Sequence, residues 1–523
     1  MAWVYRNVRH VNNKALSFCF SRTATSSAAG LRKDSAISSD VKPFRKIPGP
    51  KGLYSIPYLG TGLLFKSFSK YEPMEIDKVL TNLKNKYGDI FKVRLGKDYI
   101  VYIYHPDYAK TVMLAHYEEH RRPLFSLSVK FHERTCTTKG MIALNGNEWA
   151  ERRKSAEENM LRPAVVSSHI PMIEQVTDDF VEKLRKTDKV DDLLEELYCY
   201  TTDSVGLLCF NRRLGCLESG VTSDVSAAAC IKRASELSQK AFFMPVKTYM
   251  YFRTKLYKEF EKVCMMLRAI VIKEIATQRK FLGKLGRENK LEEYLSKEPN
   301  FMYSMLSDKR TTDDQIASVI TDFFGPGIDL TANTLVFLLV ELAINKDKQD
   351  KLYEEIKSVV GGSETLTKDH LEKMTYLQAC LKESLRKTFP SSLGLLRIPE
   401  EDIVVGGYQI PKNHKIAVNM RTMTSDGRFF SRPREFLPER WLNDTKGELA
   451  KGQQYQFATK PFSFGARDCI GRGFAEVEIF ICVTKMIQNF EIYMPPGVTE
   501  VRSTFKIFTT PAKKVQLYLK ERQ

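Results

Sequence analysis

The stretch Phe462-Ser463-Phe464-Gly465-Ala466-Arg467-Asp468-Cys469-Ile470-Gly471 decides how this chain folds and what it can hold. One cysteine stands among glycines, an arginine precedes it by two positions, and an amphipathic run from Phe474 to Ile487 follows directly. A cysteine at the start of a helix sits where free backbone N–H groups and the positive end of the helix dipole favour the thiolate. Thiolate is a soft, electron-donating ligand that suits iron. Glycines let the backbone approach a flat macrocycle closely, and an arginine pairs with a carboxylate on such a ring. The competing reading is a buried free cysteine in a glycine-rich turn, the usual fate of an isolated cysteine.

Upstream, Lys382-Glu383-Ser384-Leu385-Arg386 lies in a helical run that ends before Pro390. Glu383 and Arg386 are three apart and share one helix face. Phe436-Leu437-Pro438-Glu439-Arg440-Trp441 follows. Far earlier, Trp149 and Arg153 put an indole and a guanidinium four apart, again on one face.

These segments resemble the cytochromes P-450. The pattern Phe-x-x-Gly-x-Arg-x-Cys-x-Gly of that family's haem-binding loop is met at every fixed position. Glu383 to Arg386 resembles the ExxR of its K helix, Phe436-x-Pro438-x-Arg440 its meander, and Trp149 to Arg153 the WxxxR of its C helix. Three of these elements occur in the family's order. The resemblance covers about residue 46 to the end. It implies a fold that is mainly α with small β-sheets, a single haem-thiolate catalytic domain, and haem b (iron protoporphyrin IX) as cofactor. Cys469 would be the axial ligand of the haem iron, with Phe462 and Gly465 as fixed positions of its loop. Arg467, Arg397, Arg153 and Trp149 would answer the two propionates. Glu383, Arg386 and Arg440 would form a buried charge network whose role is structural.

Size and composition agree with such an enclosure. The chain has 523 residues, 28% of them charged and 43% apolar, which places it among globular proteins able to bury a large core. Ten cysteines are scattered without a CxxC pair, against a disulfide framework or a structural zinc site and in favour of a reducing compartment. The net charge is +18. Such a basic body implies an acidic partner or an anionic membrane surface. Nucleic acid is disfavoured, because no basic stripe is interleaved with aromatics.

Residues 1–33 carry six Lys/Arg and no acid, with many Ser, Thr and Ala and no long apolar run. That composition reads as a mitochondrial transit peptide, with a disordered tail as the alternative. Residues 34–45 read as a polar linker, and Pro48-Gly49-Pro50 as a stiff entry to a catalytic domain spanning 46–523. A hairpin is expected over 89–104, split by Gly96-Lys97-Asp98. Helices are expected over about 146–390 and short strands over 403–418. The apolar, aromatic segment 241–252 turns basic and reads either as core or as a membrane-dipping edge beside a substrate entrance. His116 and His120 are four apart, but they lack a third ligand and read as a solvated loop more readily than as a metal site.

The oxygen-side helix is expected from Ile316 to Leu339. Here Gly325-Pro326-Gly327-Ile328-Asp329-Leu330-Thr331 departs from the family's Ala-Gly-Gly-x-Asp/Glu-Thr. Asp329 matches the acid, but Leu330 stands where the threonine is usual. Thr331 lies one further, about 100° round a helix. Asp329 and Thr331 are the expected proton-handling pair. Leucine cannot hydrogen-bond, and three explanations stand. Pro326 shifts the helix phase so that Thr331 reaches the groove, a substrate hydroxyl organises water, or the enzyme rearranges an oxygenated lipid and needs no relay.

No flavin or nicotinamide domain follows Cys469, so electrons are expected from another protein. A small acidic, adrenodoxin-like ferredoxin with its reductase is implied by the resemblance to mitochondrial members. Lys382 matches one of their two ferredoxin-docking lysines, and Gln378 replaces the other. The reading is therefore a mitochondrial monooxygenase, peripheral on the matrix side of the inner membrane. It would insert one atom of O2 into a lipophilic small molecule, steroid or sterol-like by preference and xenobiotic otherwise. Substrate contacts are expected from 117–140, 205–252, 316–331, 391–397 and 502–510. The alternatives are an electron-independent rearranging member and a non-catalytic haem-binding sensor or carrier.

Overall fold

The computed structural model describes residues 40–522 except 66–68, 73–74, 116–120, 161–162, 221–225, 243, 245–246, 298–300, 309–310, 392–393 and 506–507. The transit peptide expected over 1–33, the first half of the linker, and the His116/His120 pair lie outside the described residues. Residues Lys42–Gln523 form one compact unit.

Short strands frame one side. β1 (Ile90–Leu95) and β2 (Asp98–Ile103) are the expected hairpin, turning where Gly96 adopts φ +67°. Gly49 passes so close to β1 that a Cβ there would come within 2.0 Å of the Lys92 carbonyl oxygen, which explains a glycine between two prolines. β3 (Lys189–Val190) is remote. β4 (Leu395–Arg397) comes next, ahead of the region expected to return to strands, and β5 (Ile403–Val405), β6 (Tyr408–Ile410) and β7 (Lys415–Val418) fall within that region. The first sheet has the order β1-β2-β7-β4. Pairing of β4 with β7 sets Arg397 opposite Ile416 at the end of the sheet.

Helices make the rest. α1 (Gly146–Met160), α2 (Ile170–Arg185), α3 (Leu193–Phe210), α4 (Ala227–Phe242) and α5 (Lys255–Arg287) precede the central α6 (Asp313–Ile344). α7 (Thr375–Lys387) and α8 (Arg472–Asn489) complete the frame. Thr312 and Gln315 form a capping box that starts α6. α6 is long and apolar enough to cross a membrane, but it is mostly buried, as expected of a helix apolar on nearly every side. It packs on α3, α4, α5, α7 and α8. The helix continues through Pro326, which has no N–H for the Asp322 carbonyl.

Candidate active site

The cysteine loop is closed by its own backbone. The Cys469 N–H donates to the Phe462 carbonyl at 2.8 Å, and the Asp468 N–H to the Gly465 carbonyl at 2.9 Å. Gly465 sits at φ +81°, where a side chain would be strained. Gly471 then caps α8, so the cysteine precedes the N-terminus of a long helix. Cys469 is solvent-accessible. Even so, desolvation pushes its thiol above the ordinary cysteine range, while the Gly471 N–H and the charges of Arg153 and Arg472 pull the other way.

Arg467 is buried and lies over Trp149, its guanidinium carbon 3.7 Å from the ring centroid. Its Nη2 donates to the Leu144 carbonyl at 2.9 Å and to Asn145 Oδ1 at 2.8 Å. Burial, together with the charges of Arg122, Arg397 and Arg153, pushes Arg467 down to about 8. An arginine keeps its proton in proteins. Arg122, Arg397 and Arg153 thus lie close enough to Arg467 for their charges to act on it, a group of cations that suits an anion. Arg397, also buried, donates from Nη2 to Ser463 Oγ at 3.1 Å and the Phe464 carbonyl at 3.4 Å, so it braces the same loop. A thiol at a helix start, beside buried arginines and a glycine-opened turn, is the donor set that a thiolate-ligated haem with two propionates requires. The residues fit the group.

Arg153 reaches the cysteine loop directly. Its Nη1 and Nη2 donate to the carbonyl and carboxylate of Asp468, at 2.8 and 2.6 Å, and its Nε to Glu157 at 2.6 Å. It thus ties α1 to the cysteine loop. Asp468, Arg122 and Asn145 were not singled out in the sequence. A double arginine before Pro123 and an asparagine just ahead of α1 were the faint signals.

Beneath the loop lies the charge network. The Glu383 carboxylate is fully buried and accepts from Arg386 Nε and Nη2 at 2.9 and 2.8 Å, the Leu437 N–H and Arg440 Nε at 3.0 Å each, and Trp441 Nε1 at 2.9 Å. Arg386 spends its remaining donors on the carbonyls of Thr424, Pro433 and Glu435. One carboxylate thereby fastens α7 to the segment that leads to the cysteine.

On α6, Leu330 lies four after Pro326 and eight after Asp322, and all three are partly open, whereas Thr331 is buried. Asp329 is buried too. Tyr198 OH and Asn333 Nδ2 donate to its Oδ1, the latter at 2.9 Å, and Ser235 Oγ donates to Oδ2 at 3.1 Å. It therefore turns to α3 and α4. At the molecular edge, Tyr251 and Phe252 are 80% and 71% exposed, beside Lys247, Arg253 and Lys255.

Comparison with known proteins agrees with this geometry. The family model described as Cytochrome P450 matches residues 50–519. "Probable cytochrome P450 49a1" of Drosophila melanogaster is 26% identical, over 95% of this chain and 86% of that protein. "Sterol 26-hydroxylase, mitochondrial" of Rattus norvegicus is 24% identical, over 94% of this chain and 95% of that protein. "Cholesterol side-chain cleavage enzyme, mitochondrial" of Capra hircus is 27% identical, over 83% of this chain and 82% of that protein.

Proposed function

The chain belongs to the cytochrome P450 family of haem-thiolate monooxygenases, and from that premise we propose that it places one atom of O2 into a steroid- or sterol-like molecule inside mitochondria, with electrons from an acidic ferredoxin. The cofactor is haem b, which when bound supplies the dioxygen chemistry. Cys469 is its proposed axial ligand. Arg467 and Arg397 neutralise its propionates, Trp149 holds the Arg467 guanidinium flat, and Arg153 fixes the loop through Asp468. The observation that carries the reading is the buried arginine cluster beside a cysteine at a helix start.

The substrate class rests on what the similar mitochondrial proteins are named for, sterol 26-hydroxylation and cholesterol side-chain cleavage. The mitochondrial site rests on those names and on the acid-free composition of residues 1–33. Exposed Tyr251 and Phe252, flanked by cations, suit peripheral contact with an anionic membrane. The basic surface near the cysteine loop suits an acidic donor protein. Lys382 and Arg472 are exposed, and Arg472 stands 5.2 Å from the Phe462 ring centroid.

The test is the reduced, carbon monoxide-bound difference spectrum of the purified protein. The red-shifted band of sulfur ligation is expected in the wild type and absent in Cys469→Ser. A band that survives the substitution refutes Cys469 as ligand. Leu330 favours one second reading, rearrangement of an oxygenated lipid without external electrons. Product formed from such a lipid with no ferredoxin present would establish it.

A further inference from the structure

Two acids stand on the middle of α6, and the contacts sort them. Asp329 is the one the family pattern marks, yet three donors from α3, α4 and its own helix hold it. Asp322 begins the stripe that continues through Pro326 and Leu330, at helical steps of four. Its Oδ2 accepts the Ile142 N–H at 2.9 Å. The loop is pressed onto it so closely that a Cβ on Gly140 would lie 2.3 Å from Oδ2. The same loop presents the Leu144 carbonyl and Asn145 to Arg467. Arg122 reaches the Ile142 carbonyl at 3.5 Å, and its charge acts on both Asp322 and Arg467.

We propose that Asp322, and not Asp329, holds and passes the exchangeable proton on the cofactor side of α6. The inference rests on the reading of this pocket as the haem site. The step is a plain proton transfer. The Asp322 carboxyl gives its proton to a neighbouring water and becomes a carboxylate, then regains a proton from bulk solvent by way of water.

The surroundings suit both states. Arg122, Arg152 of α1 and the N–H groups of Met141 and Ile142 stabilise the carboxylate, while burial favours the acid and dominates. The balance pushes Asp322 up to about 7, so each form is populated near neutral pH. Pro326 adds to this. It leaves the carbonyl of Asp322 itself without its usual helical donor. Leu330 at the usual threonine position is then no longer an anomaly, because the proton enters two turns earlier on the stripe.

The experiment compares haem-loaded wild type, Asp322→Asn, Asp322→Glu and Asp329→Asn. Infrared difference spectra between pH 5 and 9 are expected to show a protonated-carboxyl band that titrates near pH 7 in the wild type. The band is expected to vanish in Asp322→Asn, shift in Asp322→Glu and persist in Asp329→Asn. Peroxide released per electron pair is expected to rise several-fold in Asp322→Asn and to return toward wild type in Asp322→Glu. Persistence of the band in Asp322→Asn, its loss in Asp329→Asn alone, or unchanged peroxide release in Asp322→Asn overturns the proposal. Asn keeps an acceptor for the Ile142 N–H, so the variant retains the loop contact. The carbon monoxide spectrum of each protein reports separately on the haem-thiolate reading.

Discussion

The Arg467 guanidinium lies over the face of Trp149 at 3.7 Å, and this stack links the cysteine loop to α1 across most of the sequence. The indole removes one face of the cation from water, and the Leu144 carbonyl and Asn145 take hydrogen bonds at its edge. The cation is thus positioned before any anion arrives. Replacing Arg467 by Lys keeps the charge but loses the planar fork. We expect haem content per protein to fall several-fold in Arg467→Lys, and less in Trp149→Phe, as measured by the ratio of haem to protein absorbance after gel filtration. Equal haem retention in wild type and Arg467→Lys would remove this arginine from the cofactor's anchorage.

Glu383 gathers five donors while fully buried, so deleting it leaves Arg386 and Arg440 as uncompensated buried charges. Breaking such a network by removing one partner costs about 3–5 kcal/mol. Glu383→Gln is expected to lower the denaturation midpoint substantially and to give little haem-loaded protein. A midpoint within experimental error of wild type would mean that the network is dispensable.

The cysteine loop, the Glu383–Arg386 pair and the Phe436–Arg440 segment were legible because their geometry is set by a helix turn or a tight loop, within ten residues of chain. The hairpin at 89–104 was legible for the same reason, with alternating apolar residues and a glycine at the turn. What sequence could not supply is which distant groups meet. Asp468 meets Arg153 from 315 positions away, a contact that no local pattern announces. Tyr198 and Ser235 occupy Asp329, the residue that local pattern marks for protons, from 131 and 94 positions away. Asp322 matched no pattern at all. Its character comes from Gly140, Ile142 and Arg122, which reach it only through folding.

Docking of an acidic electron donor should depend on the cations that remain available. Lys387 is not one of them, since its Nζ lies 2.8 Å from Glu341 and is half-buried. Lys382 is exposed one turn earlier on α7. With a screening length of about 8 Å at physiological ionic strength, such a contact weakens steadily with salt. We expect Lys382→Glu to raise the KM for reduced ferredoxin by about tenfold, equivalent to ~1.4 kcal/mol, with the substrate-induced spin shift unchanged. Turnover that does not decline between low and high salt would exclude electrostatic docking at this face.

Leu330 decides how far the oxygen-side helix departs from its relatives in practice. Its side chain belongs to the partly open stripe of α6, while Thr331 is buried and the Thr334 hydroxyl is committed to the Leu330 carbonyl at 2.8 Å. Introducing a hydroxyl by Leu330→Thr gives the stripe a donor and acceptor between Asp322 and Thr334. A threonine in a helix also bonds back to the carbonyl four residues earlier, here Pro326, which fixes its rotamer. If protons reach the site along this stripe, the added hydroxyl shortens the path, and peroxide released per electron pair should fall in the variant. In a double variant with Asp322→Asn, the gain should disappear, because the hydroxyl relays a proton but cannot store one. Measuring peroxide and product against electrons consumed in the four proteins of this cycle gives the coupling between the two positions directly. Purely additive effects would mean that Asp322 and position 330 act on separate paths.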